Sequence, residues 1–225
     1  MREIILDTET TGMNPETGDR VVEIGCVELF NHIPTGKHYH QYINPERDMP
    51  AGAQAVHGLS AEFLSKYPTF GEIVSDFVDF IGDAPLVIHN ADFDMKFINH
   101  HLGQFGFAAL SMGRVIDTLK MARQKFPGAP ASLDALCKRF NVDLSGRTLH
   151  GALLDCQLLA AVYVELIGGR QAGLNLTTAA TAAASGGGTA GGRVYRAPRP
   201  HAPSAEEESA HKSMVQSIKN AIWSS

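Results

Sequence analysis

The sequence of 225 residues lacks the features typical of membrane spans, disulfide frameworks and common zinc sites. It has no long uninterrupted apolar run, and its three cysteines, Cys26, Cys137 and Cys156, lie far apart within apolar patterns. We therefore expect buried free thiols in a reducing compartment, and a cytoplasmic protein that does not enter a membrane. The chain has neither a Cys-x-x-Cys nor a His-Glu-x-x-His pattern, so zinc centres of those types are not expected.

Positive charge is also scarce. The 19 lysines and arginines are outnumbered by 24 aspartates and glutamates, which gives a net charge of −5. Proteins that bind nucleic acid by bulk attraction carry a positive surplus, so any nucleic acid must be held here by metal ions and a few positioned groups. The apolar fraction of 44% is that of a globular chain, and the length suits one sizeable domain with an appendage.

Two carboxylates follow a short apolar run close to the N-terminus. Ile4, Ile5 and Leu6 predict a strand that is buried on both faces, and Asp7 and Glu9 come directly after it. Because side chains alternate along a strand, both carboxylates should point to the same side. Their mutual repulsion favours a divalent cation between them, such as Mg²⁺ or Mn²⁺. A strand that runs into a solvated acidic turn would show the same pattern.

A second pair of acids lies in the stretch 89–94, where a short apolar strand gives way to a helix. Asp92 and Asp94 stand about 200° apart on a helix, so only one of them can face the interior. Asp94 shares its side with later apolar residues, and we predict that it points inward. Asp92 is expected to face water and to complement the helix dipole. His100 and His101 are expected on the surface of the same helix.

A third acidic position lies near the start of the last helix predicted in the domain. Asp155 falls on the apolar stripe of that helix, where a carboxylate is costly unless it binds a cation. His150 stands at the helix entrance, and an ordinary histidine pKa of roughly 6.5 suits it to take a proton from water. A lone histidine at a helix start is more often a surface residue. The acids nearby favour a general base.

The order of predicted elements indicates the fold class. Three strands, beginning near residues 4, 20 and 39, precede any long helix and form a meander. The later predicted elements are, in chain order, a short helix opened by Ser60, a helix over 70–81, a strand at 85–88, a helix starting at Asn90 or Asp92, a strand at 115–118, a helix capped by Ser132 that runs through Phe140, and a helix from about 151 to 167. This order predicts an α/β fold with a mixed five-stranded sheet flanked by helices on both faces.

The composition changes after residue 168, which we take as the end of the domain 1–168. Residues 177–192 are almost wholly alanine, threonine, glycine and serine, and prolines follow. Such a segment cannot form a core, so we predict a flexible and then semi-extended linker over 177–205. Residues 169–176 lie between the domain and this linker.

The last segment, residues 206–225, has an apolar pattern of its own. Met214, Ile218 and Ile222 are spaced four apart, and Trp223 lies beside them. This spacing predicts a short amphipathic helix. Helices of this length are marginal in isolation, so we expect it to fold on a partner. A frayed tail is the alternative interpretation.

Taken together, the motif 7–12, the stretch 89–94 and the pair His150 and Asp155 resemble the DEDDh class of 3′-to-5′ exonucleases, over about residues 2–168. The pattern is most similar to the epsilon branch of that class, the proofreading subunits of bacterial DNA polymerase III. The resemblance implies a ribonuclease H-like fold, two divalent cations (Mg²⁺ or Mn²⁺) and removal of nucleotides from a DNA 3′ end as 5′-monophosphates. It assigns the metal ions to four carboxylates and the general base to a histidine, which are Asp7, Glu9, Asp94, Asp155 and His150.

The resemblance also implies contacts with the substrate. The segment 56–58 is similar to one whose histidine, here His57, touches the terminal nucleotide, and Thr10 lines the same pocket. Gly52 takes the position, five residues before His57, where close relatives often carry a glutamate. This chain therefore has no side chain for that contact. Three of the metal-binding acids also contact the substrate by this resemblance, namely Asp7, Glu9 and Asp155.

Three partner proteins follow from the same resemblance. Gln171, Leu174 and Leu176 resemble the hexapeptide that docks on the sliding clamp (beta), although an ordinary linker start is the alternative. Residues 206–225 would bind the alpha subunit of DNA polymerase III, and a small theta-like subunit would bind the domain. A stand-alone exonuclease that acts on RNA or oligonucleotide ends is disfavoured by the long linker. An inactive scaffold between clamp and polymerase is disfavoured by the intact acids.

Overall fold

The computed structural model describes residues 1–146, 149–169 and 202–218, and contacts within the chain divide it into two units, 1–174 and 175–225. The first unit contains a five-stranded sheet with the order β3-β2-β1-β4-β5. Strand β1 is antiparallel to β2 and parallel to β4, β2 is antiparallel to β3, and β4 is parallel to β5. The strands are β1 (Arg2–Thr10), β2 (Val21–Phe30), β3 (Ile33–Tyr42), β4 (Leu86–Ile88) and β5 (Val115–Asp117).

Helices cover both faces of this sheet. The helices of the first unit are α1 (Ala51–His57), α2 (Ala61–Leu64), α3 (Phe70–Ile81), α4 (Ala91–Gln104), α5 (Thr118–Lys125), α6 (Leu133–Phe140) and α7 (Ala152–Leu166). Apolar residues of α3 and α4 form one core with one face of the sheet, and α7 packs on the other face. Helices α5 and α6 pack against α7. The predicted mixed sheet with helices on both faces is therefore confirmed.

The alternation of β1 decides which face each site residue joins. Ile4 and Leu6 belong to the core beneath α3 and α4, whereas Ile5 belongs to the core beneath α7. Since successive side chains of a strand point to opposite faces, Asp7 continues the side of Ile5, and Thr8 continues the side of Leu6. The end of β1 thus presents polar groups towards both helical layers.

Two predicted helices have the serine caps that the sequence indicates. The side chain of Ser60 accepts a hydrogen bond from the backbone of Phe63 at the start of α2, and Ser132 does the same at the start of α6. Helix α3 ends at Ile81, before Gly82, as its apolar spacing predicts. Asn90 precedes α4 in the left-handed conformation, with a φ of 67°.

The structure differs from the predicted elements in three places. Strand β3 begins at Ile33 rather than near residue 39, because its exposed first half pairs with β2 and has no buried face of its own. Helix α1 was not predicted, since it follows Pro50 and carries no continuous apolar stripe. Helix α5 was not predicted either, and Thr118 is its first residue rather than the end of a strand. The Asp117 side chain caps α5 by accepting from two backbone N–H groups.

The expected surface position of the two histidines in α4 is wrong for His101. Its side chain is buried, its ring centroid lies 4.8 Å from that of Phe70, and its Nδ1 is 2.8 Å from the carbonyl oxygen of Phe97. Burial lowers the pKa of His101 to about 4, so the imidazole is neutral. It therefore forms part of the core. The three cysteines are buried and free, as predicted.

The described part of the second unit is a single helix, α8 (Ala205–Ser217). Ser204 and Glu207 form a capping box at its start, and none of its residues is buried. The predicted helix is therefore confirmed, but Ile218 lies just beyond it in an extended conformation, with φ −89° and ψ 118°. Ile222, Trp223, the segment 171–176 and most of the predicted linker fall outside the described residues. Among the described residues, no helix is long and apolar enough to cross a membrane.

Candidate active site

The end of β1 and the first turns of two helices bring the predicted site acids together. Asp7 and Glu9 lie in the last half of β1, Asp94 lies in the first turn of α4, and Asp155 lies in the first turn of α7. The side chains of Asp94 and Asp155 are almost completely buried, at 3% and 4% exposure. The structure thus gathers four carboxylates from three separated segments of the chain.

A close backbone approach places the start of α7 at the sheet. Gly25 lies on β2 opposite Asp7, and a Cβ atom added to Gly25 would come within 2.4 Å of the carbonyl carbon of Ala152. The Sγ atom of Cys156 donates a hydrogen bond of 3.1 Å to the carbonyl oxygen of Gly25. Only glycine at this position allows α7 to lie so near the sheet, and this holds Asp155 beside β1.

His150 stands next to the acids on the α7 side. Its Nδ1 lies 3.5 Å from Oδ2 of Asp155, and its backbone N–H donates a hydrogen bond of 3.2 Å to the carbonyl of Val56. The side chain of His150 is about half exposed. Glu9, His150 and Asp155 each offer one ligand atom, and these atoms lie within 4.8 Å of one another, close enough to surround one metal ion.

Asp94 approaches β1 from the other helical layer. Its Oδ1 accepts two hydrogen bonds from Thr8, one from the backbone N–H at 3.0 Å and one from the hydroxyl at 2.7 Å. These bonds favour the ionised carboxylate, but burial outweighs them and raises the pKa of Asp94 to about 7. Asp92 is exposed, as predicted, and its carboxylate lies 3.3 Å from the Lys120 ammonium.

The ionised form of Asp7 is destabilised by burial and by the neighbouring acids. Its pKa is raised well above the ordinary value, chiefly by burial and then by the charges of Asp94, Glu9 and Asp155. A buried cluster of acids is unfavourable unless its charge is neutralised by protons or by cations. The donor set consists of hard oxygen atoms, which suits Mg²⁺ or Mn²⁺.

The predicted substrate residues come from two elements, with His57 and Gly52 on α1 and Thr10 on β1, and the backbone of Thr10 lies near the His57 ring. His57 is buried at the end of α1, where its Nδ1 accepts a hydrogen bond of 3.0 Å from the backbone of Leu59. Burial lowers the pKa of His57, and the charge of Glu23 opposes that shift. Thr10 is buried near the end of β1. Gly52 lies in the exposed first turn of α1, and a Cβ atom there would meet nothing within 4 Å.

The sequence reasoning missed two residues that support the site. Thr8 lies between the two acids of β1, and strand alternation alone turns it towards α4 and Asp94. Glu23 is buried on β2 opposite Glu9, and its Oε1 lies 2.7 Å from Nε2 of His40. Glu23 could have been identified from the sequence, because it is an acid at a strand position that the apolar pattern turns inward.

Comparison with known proteins agrees with this geometry. A model of the exonuclease family (RNase_T) matches residues 4–163. The DNA polymerase III subunit epsilon of Rickettsia prowazekii is 60% identical over 174 residues, which cover 76% of each chain. The protein of the same name from Escherichia coli K12 is 46% identical over 181 residues, which cover 75% of this chain and 72% of the relative.

Solved structures share the fold. Exonuclease X in complex with 5′ overhanging duplex DNA superposes with a TM-score of 0.57 at 25% identity, covering 73% of this chain and 90% of that chain. The nuclease domain of 3′hExo, a DEDDh family member bound to rAMP, superposes with a TM-score of 0.63 at 20% identity. The match covers 74% of this chain and 91% of that chain. With the family match and the identity to the epsilon subunits, these comparisons show that the chain belongs to the exonuclease family.

Proposed function

We propose that the protein is the proofreading 3′-to-5′ exonuclease subunit of a bacterial DNA polymerase III, and that it removes mismatched 3′-terminal nucleotides as 5′-monophosphates. The observation that carries this function is the convergence of Asp7, Glu9, Asp94, Asp155 and His150 at the end of β1. This arrangement occurs in a chain 60% identical to a relative named as an epsilon subunit.

Two divalent cations, Mg²⁺ or Mn²⁺, are the cofactors in this proposal. Asp7, Glu9, Asp94 and Asp155 would hold them. Burial and the charges of the neighbouring acids raise the pKa of Asp7, and bound cations would offset those charges and favour its ionised form. Bound ions of this kind supply Lewis-acid chemistry, since they polarise the scissile phosphodiester and make water more acidic. His150 lies within the same cluster of ligand atoms, but Mg²⁺ prefers oxygen, which favours a proton-transfer role for the imidazole.

His150 is the general base of the proposed reaction. The Asp155 carboxylate near Nδ1 orients the ring, and Nε2 is the nitrogen that takes the proton. The water oxygen bonds to phosphorus as the bond from phosphorus to the 3′-oxygen breaks. His150 receives the proton of that water, and the departing 3′-oxygen takes a proton from solvent. The products are a nucleoside 5′-monophosphate and a strand with a new 3′-hydroxyl.

The terminal nucleotide would lie against His57 and Thr10. His57 belongs to the end of α1, and the preceding residue, Val56, accepts the hydrogen bond from the backbone of His150. This link supports a nucleotide contact next to the proposed base. Gly52 would contribute only its backbone. A mismatched end frays at a lower cost in free energy than a paired end, so a single-strand pocket selects it without reading the base.

The remaining segments are proposed to connect the nuclease with the replicase. Residues 1–168 form the nuclease domain, 169–176 would bind the sliding clamp through Gln171, Leu174 and Leu176, and 177–205 would act as the linker. Residues 206–225 would bind the polymerase alpha subunit, and a theta-like subunit would bind the domain. A tether of this kind raises the local concentration of the nuclease near the primer end. The site of action would be the cytoplasm.

Degradation of a 5′-labelled primer-template with a 3′ mismatch tests this function. We expect stepwise shortening from the 3′ end in Mg²⁺ or Mn²⁺, faster for mismatched than for matched ends, and none in EDTA. Asp94→Asn should reduce the rate by at least about 100-fold. Asp92→Asn, two residues away and exposed, is the matched control and should keep the wild-type rate. A folded wild type that leaves the primer intact with either metal ion would contradict the proposal.

A further inference from the structure

A cavity of about 630 Å³ extends from the site acids to two helices that the proposed mechanism does not use. Asp7, Asp155 and His150 line it together with residues of α5 and α6. Arg123, on α5, also lines this cavity and is exposed. Within residues 1–146, 149–169 and 202–218, Arg123 is the only lysine or arginine that lines it.

The guanidinium of Arg123 is available to a ligand. In the described part of the chain, Arg123 makes no hydrogen bond or ion pair, in contrast to Lys120 and Lys125 on the same helix. Its charge nevertheless acts in the cavity. Burial lowers the pKa of His89, which also lines the cavity, and Arg123 lowers that pKa further. An exposed guanidinium beside a cluster of acids suits a ligand that carries its own negative charge.

The position of Arg123 in the fold indicates which part of a DNA strand it would meet. The proposed contacts with the terminal nucleotide involve β1 and α1, and the charge of Glu23 on β2 acts on His57. Helix α5 follows β5, which lies two strands from β1 in the opposite direction. Adjacent strands are about 4.8 Å apart, so the start of α5 lies roughly 10 Å from β1. Arg123 lines the cavity on the α5 side of the site acids, and a strand that runs from α1 across the acids towards α5 would meet it.

We propose that Arg123 binds the phosphodiester one nucleotide upstream of the scissile one. This inference rests on the proposed nuclease function and adds a subsite to it. A guanidinium binds a phosphodiester through parallel N–H donors, and such contacts position a strand without reading its bases. Asn90 and Ser132, which line the same cavity, offer further polar groups beside it. Arg123 would act as a positioning residue that aligns the scissile phosphate with Asp7, Asp155 and His150.

Short thymidine oligonucleotides separate the two phosphate positions. A dinucleotide contains only the scissile phosphodiester, whereas a trinucleotide also contains the upstream one. For the full chain, we expect the ratio of kcat/KM on the trinucleotide to that on the dinucleotide to fall about tenfold in Arg123→Ala. Arg123→Lys should restore part of the ratio. Lys138→Ala, which removes an exposed cation of α6 outside the cavity, is the matched control and should leave the ratio unchanged.

A modified substrate tests the contact itself. A neutral methylphosphonate at the upstream linkage of the trinucleotide should slow the wild type about as much as Arg123→Ala does, and should have little further effect on Arg123→Ala. Equal losses on both oligonucleotides, or additive effects of the variant and the methylphosphonate, would overturn the subsite while leaving the nuclease in place. A wild type that cleaves neither oligonucleotide, nor a longer primer, would overturn the proposed function and this inference with it.

Discussion

The carboxyl group of Asp94 experiences two opposing influences. Thr8 donates two hydrogen bonds to it, which favour ionisation, and burial disfavours ionisation more strongly, so its pKa rises to about 7. The pKa of Asp7 is raised as well, by burial and by its acidic neighbours. Without cations, the site therefore holds protons near neutral pH. Cations must displace those protons, so metal affinity should increase with pH.

This pKa predicts a specific dependence of stability on pH. The folded state keeps the proton of Asp94 up to about pH 7, whereas the unfolded state releases it near 3.8. Between these values the folded state binds more protons, so the free energy of unfolding decreases as the pH rises. In EDTA, thermal unfolding midpoints should fall from about pH 5 to about pH 7, and Asp94→Asn should show a shallower fall. Identical slopes for the two proteins would contradict the raised pKa.

Individual site residues were predictable where a single element decided their direction. Helical geometry alone distinguishes Asp94 from Asp92, and the structure buries the first and exposes the second. The burial of His101 depends on Phe70, which lies on another helix, so the sequence around His101 gave no sign of it. Strand alternation gives the direction of Thr8, but not its partner Asp94, which lies 86 residues away.

Helix α7 owes its position to a contact between backbones. The start of the helix lies against Gly25 of β2. Asp155 lies in the first turn of the helix, and His150 lies just before it. Backbone atoms cannot rotate away from a new side chain. Any Cβ at position 25 must therefore displace the helix or the strand, and the site acids with them.

Replacing Gly25 tests this dependence. Gly25→Ala should lower the unfolding midpoint, with a loss of about 1–3 kcal/mol, and reduce nuclease activity by about 100-fold, because Asp155 and His150 move relative to Asp7. Gly103→Ala is the matched control, since a Cβ in that helical position meets nothing within 4 Å. The control should keep full activity and gain slightly in stability. Normal activity of Gly25→Ala would show that α7 tolerates the added methyl group.

Elements with an apolar pattern of their own were predictable from sequence. Helices α3, α4, α6 and α7 each carry such a pattern, and the structure confirms each of them. The missed elements depend on neighbours. Helix α1 and the first half of β3 are largely exposed, and the register with β2, rather than any local pattern, defines where β3 begins.

At the scale of the molecule, the site acids and the terminal helix belong to different units. All predicted catalytic residues lie in the first unit, and α8 in the second unit carries no buried residue. Met214 is 54% exposed, and Ile218 is 44% exposed. These two apolar side chains are available to a partner, which agrees with the proposed role of residues 206–225.

Deleting residues 206–225 should abolish binding to the polymerase without abolishing nuclease activity. We expect the truncated protein to lose co-purification with the polymerase alpha subunit and to keep its rate on single-stranded oligonucleotides within about twofold, because the site residues lie outside the deleted segment. Lys212→Ala, on the polar side of the same helix, should retain both properties. Loss of both properties on deletion would count against this division of roles, as would continued co-purification.

The site residues are synthesised at different times, because they lie far apart in the sequence. Asp7 and Glu9 leave the ribosome well before Asp155, which lies in α7, and His150, which lies just before that helix. A nascent chain therefore contains most of the fold before it contains a complete set of hydrolytic groups. Partial unfolding of α7 in the finished protein would likewise displace the proposed base and one of the site acids together. In the proposed function, hydrolysis of nucleic acid is thus restricted to molecules in which α7 has packed against the sheet.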